Sequence, residues 1–165
     1  MRTVTLTSLR SQIRQRSDTE ALTARFPDAE LNEYANQSWA ELYNLIILTN
    51  QDYYLSQTTI TTSAGVHTYA LPSDLYMDRG ADVNVAGKVL TLDRWEFSER
   101  ERWQYEFGWN NGGPLAYALI GNNIRFQPTP SGGYDVTLYY YPVPARMTVD
   151  GDVIDGHAGF EEYVV

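Results

Sequence analysis

The stretch "NNIRFQPTPSGGYDVTLYYYP", residues 122–142, holds Phe126, four tyrosines and three prolines, yet no histidine, no cysteine and one carboxylate, Asp135. Turn signals at Gly121-Asn122-Asn123 and Ser131-Gly132-Gly133 cut it into "IRFQP" and "YDVTLYYYP". In the second piece, alternation places Tyr134, Val136, Leu138 and Tyr140 on one side, and Asp135, Thr137, Tyr139 and Tyr141 on the other. The first side is mainly apolar and suits a core. The second is mixed, the pattern of a half-buried strand whose outer side is also covered. The reading predicts two strands of one sheet. It leaves Tyr139 and Tyr141 to meet a neighbouring subunit or another layer.

The same period of two extends back along the chain. "TTITTSAGVHTYALP" is β-branched and broken at Ala64-Gly65, which predicts a hairpin. "ADVNVAGKVLTL" repeats the form around Ala86-Gly87. Between these strands and "LAYALI", the charged, aromatic stretch "RWEFSERERWQYEF" (94–107) predicts one short helix, and "NNGGP" a loop.

Before residue 56 the period is helical. Leu6, Leu9 and Ile13 predict a short amphipathic helix over about 5–16 with arginines on its other side. Pro27-Asp28 opens a longer helix, with Asp28 placed to accept from the free N–H groups of the first turn. Leu31, Tyr34, Ala35, Ser38, Leu42, Leu45, Ile46 and Thr49 trace its stripe, which Trp39, Tyr43 and Ile47 widen. After Pro142 the chain reads as irregular to about 156, and "FEEYVV" starts a further helix. The predicted fold class is α+β. N-terminal helices and the C-terminal helix start form a bundle (1–55 with 157–165), and 56–156 is an antiparallel β-rich region.

Composition narrows the function. A chain of 165 residues with 43% hydrophobic content can build a core. No apolar run approaches the roughly 20 residues of a membrane helix, and the N-terminus lacks the apolar segment of a signal peptide. With no cysteine, disulfides and thiolate metal sites are excluded. The net charge is −9, unevenly spread. Residues 1–26 carry an excess of arginines, and the remainder is strongly acidic. So acidic a body is a poor grip for phosphates.

The equipment for catalysis is sparse. A Ser-His-Asp arrangement needs a histidine beside its nucleophile. His67 falls in a predicted strand, and His157 falls in "DGHAGF" without a nucleophile motif. "DGDVIDG" places Asp150, Asp152 and Asp155 near the spacing of a cation loop, with Glu161 at position twelve. However, the third aspartate and the glycine come one residue late, and a turn-rich connector accounts for the same residues. No phosphate-binding loop or dinucleotide fingerprint is present, and no cofactor is expected. Thirteen tyrosines and four tryptophans remain as the chief asset. Both residue types favour interfaces because they combine area with a polar tip. Trp95, Trp103, Tyr139 and Tyr141 are the candidate subunit contacts. A carbohydrate-binding β-module, with rings stacked on sugars, is the alternative reading.

The order of several phrases resembles the head–tail adaptor (connector) proteins of tailed bacteriophages. These are "LRSQIRQRSD", "PDAELNEYANQSWAELYNLI", "TITTSAGVHTYALPSDLY", "GGPLAYALIGNNIRFQPTPSGGYDVTLYYYPVP" and "DGDVIDGHAGFEEYVV". The resemblance implies a structural protein of the virion neck, assembled in the bacterial host cytoplasm. It implies a ring, usually dodecameric, beneath the portal protein. Such a ring extends the channel for double-stranded DNA, without sequence-specific binding or a membrane. It also offers a platform to the tail, its nozzle or the next neck protein. An acidic lumen would let DNA slide without adhering. Portal contacts are expected from Arg10 and Arg14 on the first helix and from Phe160 and Tyr163 on the last. In that family the last helix usually continues, and a C-terminal segment grips the portal. The chain stopping at Val165 is therefore expected to be a truncated form or to dock differently.

Overall fold

A computed structural model of the chain describes residues 4–105, 112–154 and 161–165. The chain divides into two compact units, Met1–Tyr53 with Pro144–Val165, and Tyr54–Val143. The fold is mixed α+β.

The first unit is built on two helices, α1 (Leu6–Arg16) and α2 (Asp28–Thr49). Thr5 caps α1 by accepting from the Ser8 N–H. Arg14 and Arg16 lie in its last turn, where positive charge offsets the helix dipole. Leu6 and Leu9 are fully buried. On α2, Leu31, Ala35, Trp39, Leu42 and Ile46 form the buried stripe at helical spacing, with Asn36, Tyr43 and Ile47 beside it. Tyr34 and Leu45, which the periodicity assigned to this stripe, are exposed. They sit on its flank, where three- and four-residue steps drift off the buried line.

The segment after Pro144 is fastened to these helices by backbone and side-chain bonds. The Leu6 N–H donates to Asp152 O at 2.8 Å, and Thr5 bridges to Val153. The Asn36 side chain donates to Met147 O at 2.9 Å and accepts from the Met147 N–H at 2.8 Å. The Trp39 indole donates to Ala145 O. A final helix, α4 (Glu161–Val164), touches α2. What reads as irregular from composition is thus pinned by side chains of α2 that satisfy its backbone polar groups.

The second unit holds two four-stranded sheets. One has β1 (Ser56–Thr61), β8 (Asp135–Pro142), β3 (Leu75–Val85) and β4 (Lys88–Thr91) in the order β1-β8-β3-β4, all antiparallel. The other has β2 (Thr68–Ala70), β7 (Asn123–Gln127), β6 (Ala116–Ile120) and β5 (Asp93–Arg94) in the order β2-β7-β6-β5. There β5 runs parallel to β6, a departure from the expected antiparallel region. One core takes Ala81 and Val83 from β3, Val136 and Leu138 from β8, Tyr117 from β6, and Ile124 and Phe126 from β7.

Two hairpins form where a two-residue turn is flanked by strands. Ala86-Gly87 joins β3 to β4 with both residues at positive φ (51° and 81°), as the tight hairpin turn requires. Gly121-Asn122 joins β6 to β7. Two expectations fail. Ala64-Gly65 does not close a hairpin, because β1 pairs with β8 and β2 with β7. Likewise β7 and β8 belong to different sheets. A buried threonine explains how the chain crosses between them. Thr62 donates to Gly132 O and accepts from the Tyr134 N–H, both at 2.9 Å, and its own N–H bonds Tyr134 O. That clasp turns residues 131–134 toward β1. The stretch expected as one helix over 94–107 instead begins in β5. It continues as a single 3₁₀ turn (Phe97–Glu99) and then α3 (Arg100–Tyr105), and residues 106 and 107 lie outside the described residues.

Candidate functional site

The aromatic candidates lie in the second unit, Trp95 just after β5, Trp103 on α3, and Tyr139 and Tyr141 on β8. Trp95 follows β5, where its N–H bonds Tyr117 O. It is 3% exposed and packs with Ala116 and Ala118, and Trp103 of α3 packs half-buried against that cluster. The structure therefore brings Trp95 and Trp103 together, the first as core and the second nearer the surface. On β8, Tyr141 is 2% exposed, while Tyr139 is half-buried. Tyr139 stands opposite Gln57 of β1 and Gly80 of β3. At Gly80 the β3 ladder is irregular: Asp78 pairs with Tyr140 and Gly80 with Tyr139, so Arg79 is an extra residue. Such a bulge locally bends and twists the strand, and Gly80 presents no side chain to the Tyr139 ring.

Tyr140 stays on the core side as expected, and its hydroxyl donates to Asp74 at 3.2 Å. Tyr117 donates to Asp78 at 3.0 Å, and Arg94 pairs with the same carboxylate at 3.3 Å. Burial, reinforced by the charge and hydrogen bond of Asp78, pushes the Tyr117 phenol well above its usual range. It stays neutral and acts as a donor. Sequence spacing gives no hint of this trio, because Asp78, Arg94 and Tyr117 lie on three different strands.

The arginine candidates lie in the first unit and are engaged within it. Arg14 donates to Asp28 at 2.8 Å and to Phe26 O at 2.7 Å. Arg10 pairs with Asp28 at 3.3 Å and with Asp150. Their side chains are only 12% and 11% exposed, respectively. Asp28 makes no side-chain cap on α2, contrary to expectation. Its carboxylate is taken by the two guanidiniums, which offer stronger, charge-assisted bonds. The Arg14 hydrogen bond, opposed in part by desolvation and aided by the charge of Arg10, holds Asp28 below its ordinary value of 3.8. A depressed carboxylate binds fewer protons when folded, so its contribution is full above that value and is lost as pH falls through the folded one. Asp28→Asn should therefore flatten the acid limb of a stability–pH profile. At neutral pH it should cost less than about 1 kcal/mol, because Asp28 is well exposed to screening solvent. Urea midpoints measured at several pH values check this.

The aspartate loop is also spoken for. The Asp152 carboxylate accepts from the Thr148 and Val149 N–H groups, which lower its pKa. Asp150 receives Arg10, and Asp155 lies outside the described residues. Among the described residues no cluster of three metal-ligating side chains occurs. Tyr163 of α4 is 49% exposed, and Phe160 and His157 lie outside the described residues. No helix among the described residues is long and apolar enough to cross a membrane.

The chain belongs to the SU10 adaptor protein family, whose model matches residues 4–164. This is a family of phage adaptors, structural virion components that interact with other virion proteins, and not an enzyme family. No curated protein matches the chain.

Proposed function

We propose that this adaptor is a head–tail connector. Copies form a ring, most simply a dodecamer, beneath the portal; the ring extends the DNA channel and receives the tail, nozzle or next neck protein. The observation that carries this reading is the family match, which runs along nearly the whole chain. The acidic charge supports it, since a net −9 surface lets a polyanion pass without sticking. In this reading α1, α2 and α4 form the helical bundle of each subunit.

A closed ring needs two different adhesive surfaces per subunit. Trp103 and Tyr139 are the proposed direct subunit contacts. Trp95 and Tyr141 back them from within, since they have almost no surface to offer. Portal contact is assigned to the α1 arginine face, Arg10 and Arg14, and to Phe160 and Tyr163. Arg10 and Arg14 act there largely by shaping the surface, because Asp28 and Asp150 already hold them.

Light scattering of the chain, alone and mixed with assembled portal rings, tests the reading. A ring-sized species with portal supports it, and a chain that stays monomeric beside portal overturns it. Tyr139→Asp should remove a ring anchor and place a desolvated charge at the contact. A loss of about 2 kcal/mol per contact, repeated around the ring, abolishes assembly while the circular dichroism spectrum is unchanged.

A further inference from the structure

The first sheet of the second unit has two edges, β1 and β4, and among the described residues neither has a strand on its outer side. An edge strand presents a row of unpaired N–H and C=O groups, which proteins blunt with charges, prolines, bulges or very short strands. The second sheet follows that rule: its edges are β2, three residues long, and β5, the two residues Asp93 and Arg94. The β1 edge of the first sheet does not. Ser56–Thr61 runs six residues with no charge and no proline, in unbroken register with β8. At the opposite edge all four residues of β4 are exposed, Val89 at 67% and Leu90 at 45% among them.

The ladders fix which backbone groups point outward, because bonded and non-bonded pairs alternate along an antiparallel ladder. The Thr62 N–H bonds Tyr134 O, so Ile60, Thr58 and Ser56 are the residues bonded to β8. Gln57, Thr59 and Thr61 therefore turn their N–H and C=O groups to the open edge. Likewise the Leu92 N–H bonds Ala81 O, so Leu90 and Lys88 are bonded to β3, and Val89 and Thr91 turn outward. The outward residues of both edges share one face of the sheet. Thr61 stands beside Asp135, Asn84 and Val89 in one cross-strand row, and Thr59 beside Thr137, Asp82 and Thr91 in the next.

The two edges fit each other. With four strands, all antiparallel, β1 and β4 run in opposite directions. A copy carried along the row of strands thus sets its β1 antiparallel to β4 of the copy before it. Placing Thr61 opposite Val89 and Thr59 opposite Thr91 makes both pairs hydrogen-bonded through the outward groups, and puts Ile60 opposite Leu90 on the core side. Ile60 already packs half-buried against the core, so it extends that core over the exposed Leu90. All these partners are β-branched or aliphatic, the residue types that pair well across strands. The two strands carry one charge between them, Lys88, and no carboxylate. The acidity of the molecule is therefore not concentrated at this contact.

We infer that the sheet continues from copy to copy, β4 of one copy pairing with β1 of the next. This deepens the ring reading and rests on it: the two edges are the two different adhesive surfaces that a ring needs. Tyr139, assigned above to the subunit contact, lies beside this edge, opposite Gln57. A second copy is the occupant that satisfies both edges. Strand addition by another protein fills one edge and leaves the other open, and a two-fold dimer through β1 leaves Val89 and Leu90 uncovered.

The chain has no cysteine, so the double variant Thr61→Cys/Val89→Cys tests the contact. Within one copy β8 and β3 stand between the two positions, which puts them about 14 Å apart, too far to bridge. Every disulfide therefore joins two copies. The full chain is mixed with assembled portal rings, mildly oxidised and run on a non-reducing gel, with light scattering of the same sample. The expected result is a ladder of covalent multimers beyond the dimer. Each single variant should give no ladder, and a mixture of the two single variants should give their heterodimer. Thr59→Pro removes an outward N–H while keeping the bonds to β8, as an edge strand allows. It should cut the ring-sized species at least ten-fold with an unchanged circular dichroism spectrum, and wild-type assembly by this variant overturns the inference. If Thr59→Pro fails to fold, the double variant decides alone. Ring-sized species without the 61–89 disulfide overturn the inference and leave the ring reading standing. Dimers of Thr61→Cys in place of the ladder also overturn it, because they report β1 on β1. A chain that stays monomeric beside portal overturns both.

Discussion

Phe126→Ala should cost about 3–5 kcal/mol of stability, the largest effect of any single truncation considered for this chain. Phe126 is fully buried on β7, opposite Tyr117 of β6, and its ring lies 5.6 Å from that of Tyr69. It joins Ile124 of its own strand with Val136 and Leu138 of the other sheet in one core. Removing it opens a void to which both sheets contribute, and paired backbones on each side resist collapse into it. Phe126→Leu keeps most of the volume and should cost less than about 1.5 kcal/mol. Urea unfolding followed by tyrosine and tryptophan fluorescence separates the two. Equal midpoints for Ala and Leu would show that this position is not the keystone described.

Asn36→Ala should cost about 2–5 kcal/mol, from the unpairing of two backbone groups. The Asn36 amide bonds both the N–H and the C=O of Met147, and its Nδ2 also donates to Asn32 O at 2.8 Å. Met147 is itself buried, so water cannot replace the lost partners. Asn36→Asp keeps the acceptor but sets a carboxylate against Met147 O, so it should recover little. Trp39→Phe loses one hydrogen bond, to Ala145 O, and should cost about 1 kcal/mol. Hydrogen exchange of the Met147 amide reads the effect directly. If its protection survives in Asn36→Ala, the clasp does not hold this segment.

The helices were legible because their signal is local. Leu6 and Leu9, and Leu31 through Ile46, repeat at helical spacing, and the buried stripe follows them. Turns were legible for the same reason, as Gly87 and Gly121 both adopt positive φ. Pairing was not. Turn residues at Ala64-Gly65 announce a change of direction but say nothing about which strand the outgoing chain will join. There the answer was set by β8 and β7, far along the sequence. Alternation placed Val136, Leu138 and Tyr140 correctly. It did not anticipate that Tyr141, on the opposite side, would be more deeply buried than Tyr139. The candidate surface residues suffered from a related blindness. Aromatic content marks area available for contact, but composition cannot tell Trp95 in the core from Trp103 nearer the surface. For Arg10 and Arg14, the partner Asp28 was visible in the sequence but was read as a helix cap.

The order of strands in the first sheet also has a temporal meaning. Its inner strand β8 lies between β1 and β3, and among the described residues β1 has no other strand beside it. A ribosome delivers β1 early and β8 late, so β1 waits unpaired through most of the synthesis of the second unit. The first unit waits longer still, since Met147 and Asp152, which bond its helices, follow the last strand. Contacts of such long sequence separation form slowly. Neither unit can close on a growing chain until these late segments, β8 for the second unit and residues 144–152 for the first, have been made, so shorter copies lack the finished surfaces that an assembling particle would recruit.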